Sequence, residues 1–85
     1  MYSIQYSKQA IKVKSRMPKG ISEHMAKELT LIAVNPSSYQ GDWKPMQGTS
    51  LWRLRVGDWW AICEIVDEVL TVFVLKIGTR GDVYK

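Results

Sequence analysis

The strongest constraint on this fold is a series of three strand-like segments in the second half of the chain, separated by short turns. The segments cover residues 51–56, 59–65 and 69–77, and each is rich in β-branched or aromatic side chains. Gly57-Asp58 predicts the first turn and residues 66–68 the second. Because strands joined by such short connections pair antiparallel, the sequence predicts an antiparallel meander.

The first and third segments differ in the faces that they present. In residues 51–56, apolar side chains alternate with Arg53 and Arg55, which predicts one face on the core and two guanidinium groups on the other. Residues 69–77 are almost continuously apolar, which is typical of a strand buried on both faces. Gly78 is expected to end that strand.

The first half of the chain predicts a short strand and the first of two antiparallel helices. Residues 2–6 alternate between apolar and polar side chains, as an edge strand does. Ser7 suits the N-cap of a helix that runs to about Arg16. Pro18 and Gly20 then predict a tight turn.

A second helix is predicted from an N-cap at Ser22 to Asn35-Pro36, because the residue before proline avoids the helical region. Residues 35–50 have the composition of a loop, which Trp43 and Met46 are expected to pin to the body. The apolar positions of the helix recur every three or four residues, the spacing of a buried face: Ile21, Met25, Leu29 and Ile32.

Length and composition restrict the remaining choices. A chain of 85 residues predicts a single domain, residues 1–85, too small for a doubly wound nucleotide-binding fold or a barrel enzyme. The expected fold is α+β, with an N-terminal strand, two antiparallel helices and a three- to four-stranded antiparallel sheet. The net charge of +4 admits anionic partners. One cysteine, Cys63, excludes an internal disulfide, and with no signal or membrane-spanning pattern a cytoplasmic protein is expected.

Four side chains are candidates for binding phosphate. Arg53 and Arg55 project from one face of a strand, and Arg80 and Tyr84 follow the last strand, where the chain can return to that face. Guanidinium groups match phosphate oxygens with a planar fork of donors. The alternative is that the two strand arginines simply pair with neighbouring carboxylates in solvent.

Other reactive side chains predict less. His24, the only histidine, is expected to be solvated on a helix, and Cys63 to be a small buried apolar residue. The sequence contains no metal-ligand spacing, paired carboxylates or glycine-rich phosphate loop, so neither a metal nor another cofactor is expected.

Several runs of the second half form a recognisable set. They are LWRLRVGD at residues 51–58, ICEI at 62–65 and VFVLKIG at 72–78, followed by Arg80 and DVY at 82–84. Together with the preceding strand and helices, these runs resemble the RelE/ParE superfamily of bacterial toxins over nearly the whole chain. The resemblance implies the RelE-like, microbial-ribonuclease-type fold and a toxin of a type II toxin–antitoxin system, neutralised by a cognate antitoxin.

The RelE-like branch is favoured, and it implies metal-independent cleavage of mRNA in the ribosome. By this resemblance Arg80 stabilises the charged transition state, and Tyr84 transfers a proton and stacks on a base. RNA contacts are implied for residues of the sheet: Arg53, Arg55, Trp60 and Lys76. The expected partners are the antitoxin, the ribosome and mRNA, with DNA reached only through the antitoxin complex and no membrane contact.

The chain departs from the family pattern around this site. Trp59 and Trp60 stand where the family usually has tyrosine and arginine, and Thr79 and Gly81 replace flanking cations. Losing one positioned charge lowers a rate by about 10²–10³-fold, so weak or absent cleavage is predicted. A ParE-like inhibitor of DNA gyrase and an inactive antitoxin-binding relative therefore stay open. By the resemblance Trp59 takes the place of the family's usual aromatic and is expected to face the core, in which case strand alternation places Trp60 on the RNA-facing side.

Overall fold

The computed structural model describes residues 1–79, so that the predicted catalytic residues Arg80 and Tyr84 lie outside the described residues. An N-terminal strand and two helices precede the four remaining strands, as predicted for this α+β fold. The elements are β1 (Ser3–Tyr6), α1 (Lys8–Lys14), α2 (Lys19–Val34), β2 (Trp43–Pro45), β3 (Leu51–Val56), β4 (Trp59–Val66), a 3₁₀ turn (Asp67–Val69) and β5 (Thr71–Thr79).

The strands form one mixed sheet of five strands in the order β1-β5-β4-β3-β2. Strands β2 to β5 pair antiparallel, which confirms the predicted meander. β1 is an edge strand as expected, and it pairs parallel to β5, which makes the sheet mixed beyond its four antiparallel strands. The helices carry the chain away from β1, and β1 therefore meets the last strand of the meander without a hairpin.

One face of the sheet packs with both helices around a single apolar core. The predicted buried face of α2 is confirmed for Met25, Leu29 and Ile32, which are at most 2% exposed, whereas Ile21 is half-buried. The sheet contributes fully buried side chains from its three longest strands: Leu54, Cys63, Val72 and Val74.

The two helices begin and end at different residues from those predicted. The Ser7 cap is confirmed, because the Ala10 amide donates to Ser7 Oγ at 3.0 Å, but α1 ends at Lys14 and not at Arg16. The prediction of an N-cap at Ser22 is wrong, because α2 begins at Lys19 after Pro18. Pro18 suits this start, because the first amides of a helix have no partner within the helix and the missing N–H of proline therefore costs no hydrogen bond.

Residues 35–50 were predicted to be loop from their composition, but they contain a short strand. Trp43, which is 8% exposed, begins β2, a three-residue strand paired with β3, and it stacks on Trp52 at a centroid distance of 5.2 Å. Tyr39 anchors the preceding loop by donating its hydroxyl to Glu28 of α2 at 2.6 Å. Burial of the Trp43 ring therefore turns a polar segment into a fifth strand.

The last strand corrects three predictions. It begins at Thr71 and not at residue 69, because Leu70 takes the left-handed conformation with φ 45°. It continues through Gly78, which pairs with Trp60, to Thr79. It is also not buried on both faces, since Leu75 is 37% exposed and Lys76 is exposed. Among residues 1–79 the helices cover only one face of the sheet, which leaves Leu75 and Lys76 of this strand exposed.

Gln9 of α1 continues the edge pairing of β5 beyond the end of β1. Its side-chain amide donates to the Ile77 carbonyl at 3.2 Å and accepts from the Ile77 amide at 3.1 Å, as a neighbouring strand would. Ser7 Oγ donates to the Leu75 carbonyl at 2.7 Å in the same way. These side chains hold the C-terminal half of β5 in place, on the approach to Arg80.

Candidate functional site

Cationic side chains form a row across the sheet face that is turned away from the helices. In register, Lys44 of β2 is opposite Arg53, Arg53 is opposite Ile62, and Ile62 is opposite Lys76 of β5. Adjacent strands are about 4.8 Å apart, so the row extends across about 14 Å. We call the surface formed by Lys44, Arg53, Arg55, Trp60, Ile62 and Lys76 the arginine face.

A second row lies beside the first and contains an aromatic ring. Arg55 is opposite Trp60, and Trp60 is opposite Gly78. The guanidinium carbon of Arg53 lies 4.2 Å from the centroid of the Trp60 ring, and that of Arg55 lies 5.5 Å from it. The two guanidinium groups predicted to share a face are therefore gathered on one indole ring.

Arg55 has a further contact at the turn between β3 and β4. Its Nε donates to the Gly57 carbonyl at 3.1 Å. Gly57 has φ 61°, which glycine adopts without strain, so a residue with a side chain there would disturb both the turn and this contact.

Trp59 and Trp60 lie on the predicted sides of β4. Trp59 packs against the core, and Trp60 shares the arginine face with Arg53 and Arg55. Trp60 is nevertheless only 6% exposed, less than the half-buried Trp59. Alternation predicted the side of the Trp60 ring but not its burial. The ring lies under Arg53 and Arg55 of β3, and the sequence of β4 alone contains no information on that contact.

Lys76 connects the arginine face to a cleft beside α1. The cleft has a volume of about 390 Å³ and lies beside the C-terminal part of β5, where Ile77 and Gly78 line it. Arg16 and Lys76 line the cleft together with the half-buried Trp59. The arrangement gives a polymeric anion a second cationic surface next to the arginine face.

The structure brings together Arg53, Arg55, Trp60 and Lys76 of the residues predicted from sequence. It adds Lys44, which the sequence analysis did not propose because residues 35–50 were interpreted as loop. The alternation of Trp43 with Lys44 is the only local sign of β2, and three residues are too few to establish a strand from its pattern.

The remaining reactive side chains lie away from the arginine face or inside the core. His24 is exposed on α2, and Cys63 is completely buried on the opposite face of β4. Among residues 1–79, no three side chains of His, Cys, Asp or Glu are grouped as metal ligands. No helix in this part of the chain is long and apolar enough to cross a membrane.

We expect the buried Cys63 thiol to be unreactive in the native protein. Burial raises its pKa to about 12, whereas the reactive species is the thiolate. The unfolded thiol ionises first, so its stability contribution is complete below about pH 8.5 and is lost as the pH rises toward 12. Between pH 7 and pH 10 this loss is about 2 kcal/mol.

Two measurements check this expectation. A disulfide-exchange reagent at pH 8 should modify Cys63 only after denaturant is added. Urea unfolding at both pH values should show a steeper pH dependence for the native sequence than for Cys63→Ala. Rapid modification of the folded protein would contradict the assignment.

Comparison with known families identifies the fold. A sequence model described as the ParE toxin of the type II toxin–antitoxin system, parDE, matches residues 4–84. The chain belongs to this toxin family. This confirms the resemblance to the RelE/ParE superfamily, and no curated protein matches the sequence.

Solved structures with the same fold come from bacteria and archaea. RelE of the intact Escherichia coli RelBE toxin–antitoxin complex has a TM-score of 0.81 at 17% identity, covering 93% of this chain and 96% of that one. The archaeal RelE–RelB complex of Pyrococcus horikoshii gives 0.81 at 23% identity, with coverages of 96% and 98%. The RelBE2 complex of Mycobacterium tuberculosis gives 0.77 at 20% identity, with coverages of 93% and 98%. This toxin therefore has a RelE-like fold.

Proposed function

We propose that this toxin cleaves mRNA in the ribosome without a metal ion, with weakened activity, and that the RNA lies on the arginine face. The observation that carries the proposal is the pair of rows in which Arg53 and Arg55 lie over Trp60 and cations continue onto both neighbouring strands. This surface suits a phosphate backbone, because guanidinium groups bind phosphate oxygens in pairs and also stack on bases.

The proposed reaction is an internal transesterification of RNA. The ribose 2′-oxygen attacks the adjacent phosphorus and loses its proton, the bond to the 5′-oxygen breaks, and that oxygen takes up a proton. The products are a 2′,3′-cyclic phosphate and a 5′-hydroxyl end. Cations near the phosphate stabilise the additional negative charge of the transition state, in which the phosphorus is bonded to five oxygens.

The family resemblance assigns the two groups that would act on the reacting atoms. Arg80 would stabilise the phosphate oxygens, and Tyr84 would transfer the proton and stack on a base. Arg53 and Arg55 would hold the flanking phosphates, with Lys76 and Lys44 extending this contact across the sheet. Trp60 supplies no charge at the position where the family usually has an arginine, which supports a weakened rate.

Expression of the toxin without an antitoxin tests the proposal. We expect growth arrest together with cuts in translated mRNA, mapped by primer extension, and the same cuts with purified toxin and purified ribosomes. Normal growth with intact transcripts at confirmed expression of folded protein would refute it.

A second candidate is inhibition of DNA gyrase, which the family description and the uncharged Trp60 favour. Purified toxin would then block gyrase-dependent supercoiling while translated mRNA stays intact. Inhibition of supercoiling with no RNA cleavage would replace the ribonuclease proposal. A toxin that neither cleaves mRNA nor affects gyrase, yet binds its antitoxin, would be the inactive relative.

We further propose that the toxin acts in the cytoplasm and binds a cognate antitoxin, through which alone it reaches DNA. RelE is bound to RelB in the compared structures. An acidic antitoxin segment would complement the arginine face and the net charge of +4. Co-expression with a cognate antitoxin, to be sought in a small open reading frame next to the gene, should restore growth and give a complex that co-purifies.

A further inference from the structure

Trp60 occupies a different environment from Trp43 and Trp59 of the same chain. Trp43 and Trp59 contribute to the core on the helix side, whereas Trp60 lies on the arginine face and is only 6% exposed. Its ring is therefore not presented as a surface on which a base can stack. Instead, the Arg53 guanidinium carbon is 4.2 Å and the Arg55 guanidinium carbon 5.5 Å from the ring centroid.

The register of β3 and β4 explains why one ring reaches both guanidinium groups. Arg55 is directly opposite Trp60, and Arg53, opposite Ile62, is its diagonal neighbour. Diagonal neighbours are about 7–8 Å apart, within the reach of an indole and an arginine. Two arginines spaced two apart on β3 and one tryptophan on β4 are enough to produce the cluster.

The indole ring limits the freedom of two long side chains before RNA arrives. An isolated surface arginine must lose rotamer freedom when it binds a phosphate, and this loss weakens binding. Here the indole fixes the face of each guanidinium group, and the Gly57 carbonyl also fixes Arg55 Nε. The terminal nitrogens of Arg55 then remain as donors for phosphate oxygens.

We propose that Trp60 is a positioning residue that holds Arg53 and Arg55 in the arrangement that binds RNA phosphates. The proposal rests on the proposed function for its ligand. It assigns to Trp60 a role different from that of the arginine usual at this position in the family. Trp60 contributes no charge of its own, and it acts through the two arginines that its ring orients.

Binding of a short single-stranded RNA to the full chain at several salt concentrations tests this role. Trp60→Leu removes the aromatic face, and we expect affinity to fall about tenfold, as for the removal of one to two cation–π interactions. The slope of log affinity against log salt should fall in magnitude by about 0.7 for each phosphate that the arginines no longer neutralise. Trp60→Phe keeps an aromatic face and should stay within about threefold of the native affinity.

Trp52→Leu is the matched control, because it removes an indole from the core-facing side of β3, the strand that carries Arg53 and Arg55. It should lower thermal stability while leaving RNA affinity and the salt slope of the folded protein unchanged. If Trp60→Leu lowers thermal stability but leaves RNA affinity and the salt slope unchanged, the positioning role is wrong. It is also wrong if Trp60→Phe weakens RNA binding as much as Trp60→Leu does.

NMR of the arginine side chains separates failure of this inference from failure of the proposed function. The indole ring current should shift the guanidinium signals of Arg53 and Arg55 in the native protein, less in Trp60→Phe and not in Trp60→Leu. The guanidinium signals of Arg16, which lines the cleft beside α1, should not change and serve as the internal reference. Unchanged Arg53 and Arg55 signals in Trp60→Leu would overturn the positioning role. Shifted signals in a native protein that binds no RNA would retain it and refute the RNA ligand instead.

Discussion

Replacing Arg80 with alanine is expected to lower the rate of ribosome-dependent mRNA cleavage by about 10²–10³-fold, the effect of removing one positioned donor from a charged transition state. The position follows Gly78 and Thr79 at the end of β5, where the family resemblance assigns the transition-state cation. Position 60 carries tryptophan where the family usually has arginine, so no cation at that position compensates for the loss of Arg80. Growth in the absence of antitoxin should accordingly recover.

The rate is measured as single-turnover cleavage of an mRNA bound to purified ribosomes, with toxin in excess. Lys27→Ala is the matched control, because it also removes one positive charge but lies exposed on α2. It should leave the rate within about twofold, as expected for a distant screened charge. Tyr84→Phe, which removes only the phenol oxygen, should slow cleavage while retaining stacking on a base.

Two outcomes would contradict this assignment. If Arg80→Ala cleaves as fast as the native toxin, the transition-state role does not belong to Arg80. If growth arrest persists while cleavage is lost, the toxic activity is not ribonucleolytic, and the gyrase assay becomes the deciding measurement.

Replacing Leu54 with alanine is expected to lower the free energy of unfolding by about 3–5 kcal/mol, the range for a large core side chain. Leu54 lies between Arg53 and Arg55 in the sequence, but its side chain is completely buried on the opposite, core-facing side of β3. Its cross-strand neighbours are Trp43 and Ala61, a rigid ring and a methyl group, which are poorly suited to fill the space. For a domain of this size the loss corresponds to a melting temperature lower by roughly 12–40 °C.

Urea unfolding checks the value, with Leu31→Ala as the control of identical chemistry. Leu31 is 48% exposed on α2, so its truncation should cost well under the core value, about 1 kcal/mol or less. Equal losses of unfolding free energy for the two variants would show that burial of Leu54 stabilises the fold no more than the exposed Leu31 does. At temperatures where Leu54→Ala remains folded, its RNA affinity should match that of the native protein.

The strand pattern of the second half predicted most of the fold, because alternation and short turns are local properties. Arg53 and Arg55 were predicted to share a face for the same reason. The parallel pairing of β1 with β5 was not predictable in this way, since it depends on where two helices return the chain. The strand β2 was missed because burial of Trp43 comes from the core and from Trp52, not from its own neighbours in sequence.

By itself the sequence determined which residues lie on which side of each strand of the meander, and its motifs indicated the toxin family. Side-chain direction alternates with a period of two residues, so this information is local. Only the tertiary structure decided that Trp60 is buried beneath two guanidinium groups and that Lys44 and Lys76 continue the row. The register between strands brings these side chains together, and the packing of the sheet against its helices fixes that register over the whole chain.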